Sequence, residues 1–182
     1  MATKSFTPLN GRCACNTITY EVLAPFLCTN CCHCTWCQHE TGTAFALNAI
    51  IETSNFRITS ATKPVLIKIP SASGNGQTTA RCPDCYVVLY SDYGGDGTWK
   101  VFVRVGTLDD KTIRPDVHIF TSTKLDWLDL TSEKEKGVPV FEGFYQRSRV
   151  WRKFALERFD VLKQKMDEVP KGEEEAKKGE DK

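Results

Sequence analysis

Along its first two thirds the chain alternates brief apolar runs with punctuation rich in glycine, proline and asparagine. Ile18-Thr19-Tyr20-Glu21-Val22 is β-branched and aromatic, which predicts a strand. Residues 44–51 are apolar apart from Asn48 and read as a buried strand, although a short helix would show the same apolarity. Further strands are predicted at residues 55–58, at 65–69 between Pro64 and Pro70, at 86–90, at 101–105 ahead of Gly106, and at 117–120 after Pro115. Residues 71–76 carry the glycine and asparagine of a turn, and 93–97 read as a loop. Many short strands separated by turn signals predict an antiparallel all-β domain.

The pattern changes near the C-terminus. From Ser148 to Val169 the apolar positions Trp151, Phe154, Ala155, Phe159, Leu162 and Met166 recur at helical spacing, and Pro170 stops the run. The expected organisation is a flexible lead-in at 1–8, a β domain at 9–145, an amphipathic helix at 146–169 and a disordered charged tail at 170–182.

Composition narrows the class. The 182 residues suffice for one domain with a real core, and 41% hydrophobic with 26% charged residues is ordinary for a globular protein. A formal net charge of +1 gives no global field for nucleic acid or an acidic membrane. No window approaches the roughly 18 apolar residues of a membrane span. The start, Met1-Ala2-Thr3-Lys4-Ser5-Phe6, lacks the apolar core of a secretory signal, so a cytoplasmic location is expected.

That compartment decides how the nine cysteines are read. In a reducing cell, clustered cysteines point to metal more than to disulfides. Cys31-Cys32-His33-Cys34-Thr35-Trp36-Cys37 puts four of them into one short stretch. Seven cysteines form three groups: C-x-C at Cys13 and Cys15, C-x-C-x-x-C at Cys32, Cys34 and Cys37, and C-x-x-C at Cys82 and Cys85. On extended backbone, Cys13 and Cys15 would face one side. With Cys82 and Cys85 they supply four thiolates, a closed structural zinc site. Cys32, Cys34 and Cys37 supply three, which leaves a position for water or substrate, as catalytic sites do. Two Zn²⁺ ions are therefore expected, one structural and one catalytic and labile. An iron–sulfur centre is the metal alternative.

Charge gives the middle site its chemistry. Three thiolates on Zn²⁺ leave a net charge of −1, which weakens the ion as a Lewis acid for making hydroxide. Such an ion suits another thiol, held deprotonated yet nucleophilic. The expected partner is glutathione or another small-thiol adduct, with carbon–sulfur chemistry.

These motifs, with Gly42-x-x-Phe45, Ser73-Gly74-Asn75, Gly106-Thr107-Leu108, Pro115-x-x-His118-Ile119, Lys124-x-x-Trp127 and Val138-Pro139-Val140-Phe141, come in an order that resembles the glutathione-dependent formaldehyde-activating enzyme family, which includes centromere protein V. The resemblance spans residues 9–145. It implies an Mss4-like fold of folded antiparallel sheets around a structural zinc. It also implies a structural ion on Cys13, Cys15, Cys82 and Cys85 and a catalytic ion on Cys32, Cys34 and Cys37. The implied activity is that of a carbon–sulfur lyase or synthase, joining glutathione and formaldehyde to give S-(hydroxymethyl)glutathione. The second knuckle departs from the family, which usually has glycine after the last cysteine where this chain has Tyr86.

Several alternatives stay open from sequence. Cys28, Cys31 or His33 can close the middle site, although Cys31 would point away from Cys32 on extended backbone. His118 is a candidate base or thiol-orienting group, against the plainer reading of a strand histidine satisfied by backbone. Trp36, Phe45 and Trp127 are expected in the core rather than on a pocket wall, and His39 at the surface. The basic residues Arg147, Arg149, Arg152, Lys153 and Arg158 read as a solvated helix face rather than a nucleic-acid surface. A homodimer is left open. The competing function is a zinc-scaffolded interaction module without catalysis.

Overall fold

The computed structural model describes residues 6–71, 74–93 and 99–168. The expected tail at 170–182, most of the loop at 93–97 and part of the turn at 71–76 lie outside the described residues. In chain order the strands are β1 Leu9–Arg12, β2 Thr19–Val22, β3 Cys28–Cys32, β4 Ala46–Glu52, β5 Phe56–Ile58, β6 Val65–Ile69, β7 Gln77–Arg81, β8 Val88–Tyr93, β9 Lys100–Arg104 and β10 Val117–Ile119. The helices are α1 Thr35–Thr41, α2 Thr131–Glu135 and α3 Lys153–Glu168.

The strands form two sheets, one of order β1-β2-β5 and one of order β10-β3-β4-β9-β8-β7-β6. The pairings between the named strands are antiparallel except that of β10 with β3, which is parallel; an isolated parallel bridge also joins His118 to Val140. The wholly antiparallel expectation is therefore corrected at one edge, where a strand from a distant part of the sequence closes the sheet beside the cysteine-rich strand. The mostly-β architecture with a short C-terminal helix matches the sequence reading.

One hydrophobic cluster joins the sheets through Ile18, Tyr20, Val22, Ile51, Leu89, Val103 and Leu108, and includes Cys13 and Cys82. Gly11 lies opposite Tyr20 in the β1–β2 ladder, and a side chain there would meet the Tyr20 ring at 2.2 Å. A second cluster holds Cys28, Cys32, Cys37, Ala46, Ile50, Val117 and Ile119 with Tyr145, Trp151 and Ala155. The C-terminal segment thus covers the face of β3 and β4 that carries Cys28 and Cys32.

β3, β7 and α1 carry no strong periodic signal. β3 is buried at every position, yet its sequence is Cys-Thr-Asn-Cys-Cys. α1 is held as a helix by its ends: the Cys34 sulfur accepts from the Cys37 N–H, and Gly42 closes the helix in the left-handed conformation. The C-terminal helix begins later than the periodicity suggests, with Trp151 buried ahead of it.

Candidate metal centres

Cys13 and Cys15 lie in the turn after β1 rather than on extended backbone, a correction to the expected geometry. The turn still brings them together: their sulfurs stand 3.5 Å apart, and Cys15 lies 3.6 Å from the Cys82 sulfur. A tetrahedral ion with Zn–S bonds of about 2.3 Å sets sulfurs about 3.8 Å apart, so this spacing fits zinc. All four sulfurs of Cys13, Cys15, Cys82 and Cys85 lie within 4.8 Å of one another. The knuckle at Cys82 is built by the Tyr86 N–H donating to the Cys82 carbonyl and the Cys82 N–H to the Val87 carbonyl. Tyr86 takes a φ of 59°, the conformation that glycine adopts without strain. The Thr17 hydroxyl donates to Asp84 and ties the two half-sites together. That hydroxyl also stands 3.3 Å from the Cys15 sulfur, and hydrogen bonding there lowers the Cys15 thiol to about 6.

The second group is Cys32, Cys34 and Cys37, whose sulfurs also lie within 4.8 Å of one another. Cys32 ends β3, Cys34 caps α1 and Cys37 sits in its first turn. The Cys37 N–H reaches the Cys34 sulfur at 3.3 Å. Cys34 is pushed down to about 2, because the thiols of Cys32 and then Cys37 hydrogen-bond to it, while Cys32 rises to about 12 through its bond to Cys34. Cys37 rises further, first through its bond to Cys32. One anion shared among three close thiols is the charge pattern a thiophilic cation exploits.

None of the three residues left open by the sequence joins this group. Cys28 is buried on β3 against Asn30 and Tyr145, whose hydroxyl donates to the Asn30 oxygen at 2.9 Å and reaches the Cys28 sulfur at 3.3 Å. Cys31 and His33 point to the other face of β3, where they meet His118 in a third buried group within 4.8 Å. Burial holds the His33 imidazole down to about 4 and lowers His118 also. His118 is not satisfied by backbone: its side chain bonds His33 at 2.9 Å instead.

Beside α1 lies a cleft of about 400 Å³ lined by Thr41, Phe45, Leu47, Arg104, Lys111 and Asp110, among others. Thr41, the last residue of α1, donates to the Cys37 carbonyl at 2.7 Å, so the cleft borders the helix that carries Cys37. Arg104 was not singled out by sequence. It is nearly buried, bonds Glu40 of α1 at 2.7 Å and Ser91 at 3.2 Å, and leaves its Nε without a partner. Phe45 is partly exposed on the cleft and Trp127 is 72% exposed, so neither is the core residue expected. His39 is exposed, as expected.

The model of the glutathione-dependent formaldehyde-activating enzyme family matches residues 8–123. The chain belongs to this family. The matched span contains all three cysteine groups of this chain and stops before α2. No curated protein matches the chain. Among solved structures it is similar to the crystal structure of a Rhodobacter sphaeroides protein, with 16% identity, a TM-score of 0.41, and coverage of 72% of this chain and 98% of that one.

Proposed function

We propose that the protein is a zinc-dependent carbon–sulfur lyase or synthase acting on a glutathione adduct, with S-(hydroxymethyl)glutathione formation from formaldehyde as the leading reaction. The observation that carries this reading is the convergence of three thiols, Cys32, Cys34 and Cys37, without a fourth protein donor in their group among the described residues. Family membership supports the same chemistry. In this reading Cys32, Cys34 and Cys37 hold the catalytic zinc, and Cys13, Cys15, Cys82 and Cys85 the structural one.

Zinc bound by three thiolates supplies an open position of net charge −1 that accepts a further thiol as thiolate. The chain does the rest. Lys111 in the cleft beside α1 offers a cation to a carboxylate of glutathione, and Asp110 offers an anion to its ammonium group, while Arg104 is taken up by Glu40, Asn48 and Ser91 and braces α1 against the sheet. Asp110 is held ionised because Thr112 donates to it from both backbone and side chain. Phe45, Leu47 and Ile113 give the cleft apolar walls. In the forward direction the sulfur bonds to the formaldehyde carbon, the carbonyl π pair moves to oxygen, and the thiol proton ends on that oxygen.

Zinc analysis with glutathione titration tests this. Mild chelation is expected to remove the ion of Cys32, Cys34 and Cys37 before that of the four-cysteine site, and glutathione to slow that loss and protect Cys34 from alkylation. Equal inertness of both ions, with no protection by glutathione, would favour the non-catalytic interaction module.

A further inference from the structure

The third group, Cys31, His33 and His118, lies outside the chemistry proposed above. Cys31 is 2% exposed, His33 0% and His118 5%. Cys31 and His33 are two apart on or just beyond β3 and so share a face. The parallel register of β10 sets His118 directly beside Cys31. That is how a thiol and two imidazoles come within 4.8 Å of one another in the interior.

Hydrogen bonding alone does not satisfy this group. The pair His33 Nε2 and His118 Nδ1, at 2.9 Å, uses one nitrogen of each ring. His33 Nδ1, His118 Nε2 and Glu133 Oε2 remain buried without a partner, and they are three of the six such side-chain atoms among the described residues. An unpaired buried polar atom costs about 1–3 kcal/mol, so their concentration in one place asks for a ligand. Glu133 of α2 faces the group with that free oxygen, 4.0 Å from His118 Nε2, while its other oxygen is held by Arg114 at 2.8 Å and Lys136 at 3.0 Å.

We propose that Cys31, His33 and His118 form a separate binding site for a zinc-class divalent cation, on the face of β3 opposite Cys32. The donors suit such an ion: one thiolate and two neutral imidazoles, with a fourth position for water. Glu133 stands where a carboxylate orients a metal-bound histidine from the outer shell. The thiolate and the facing Glu133 oxygen put negative charge beside the site, which lowers the cost of burying a dication there. The site raises the number of ions from the two expected to three.

Zinc X-ray absorption on the fully loaded His39→Ala chain tests it, because only His33 and His118 then remain to give imidazole scattering. Scattering from imidazole bound to zinc is expected. Cys31→Ala and His118→Gln should each bind one zinc fewer per chain, with unchanged alkylation of Cys32, Cys34 and Cys37. Absence of imidazole scattering overturns the site without needing either variant to fold. Imidazole scattering together with full zinc content in a folded Cys31→Ala or His118→Gln chain also overturns it, by assigning His33 to the three-thiol group.

Discussion

Tyr86 is a single residue with a measurable cost. It is 69% exposed and holds a left-handed backbone directly after Cys85. A non-glycine residue there loses about 1–2 kcal/mol, and glycine recovers this less its greater unfolded-state entropy. Tyr86→Gly is expected to stabilise the protein by about 1 kcal/mol, seen as a higher urea midpoint at unchanged slope. A second contrast lies among the thiols. Burial raises Cys28 to about 12, whereas Cys15 is exposed and lowered to about 6. After chelation at pH 8, iodoacetamide should modify Cys15 rapidly and leave Cys28 intact in the folded chain, as read by mass spectrometry. Equal labelling of both would contradict their placement.

Among the elements, α3 and the segment leading into it show what their basic residues are for. Arg158 donates to Glu52 of β4 through Nε at 2.8 Å and through a second nitrogen, and to the Pro25 carbonyl at 2.6 Å. Arg147 stacks over Phe159, Arg149 over Phe141, and Arg152 pairs with Asp116. The solvated face read from the sequence is thus largely engaged within the chain. Removing Arg158 leaves the buried Glu52 carboxylate uncompensated, with Asn55 as its remaining side-chain partner in the described contacts. Arg158→Leu is expected to cost about 3 kcal/mol in urea unfolding, and adding Glu52→Leu should return much of it. The strands at 65–69 and 117–119 and the helix were legible because apolar periodicity or proline boundaries marked them. β3 was not, because its buried positions are filled by cysteine, threonine and asparagine, packed against the Tyr145 hydroxyl and the neighbouring thiols rather than marked by an apolar pattern. The spacing of the cysteines revealed their groups, but nothing local announced that β10 would bring His118 to Cys31 or that Arg104 would line a cleft.

At the scale of the whole molecule, the four-cysteine group joins the turn after β1 of the small sheet to the knuckle between β7 and β8 of the large one. A metal there closes a long loop and fixes one sheet against the other. Cys82→Ser is therefore expected to lower the melting temperature by more than about 10 °C, while Cys34→Ser, at the cap of α1 within one local stretch of chain, should shift it by a few degrees at most and abolish the proposed lyase activity. Equal losses of stability would remove the distinction between the two centres. The same long-range closure bears on biosynthesis. Seven of the nine cysteines are translated before Cys82, and His118 follows later still. A growing chain at that stage holds its thiols without the residues that complete the four-cysteine site or flank Cys31. Full metal loading must then wait for Cys85 and, for the third group, for His118, so a truncated product ending before Cys82 is expected to leave Cys13 and Cys15 as thiols open to adventitious metal and oxidation.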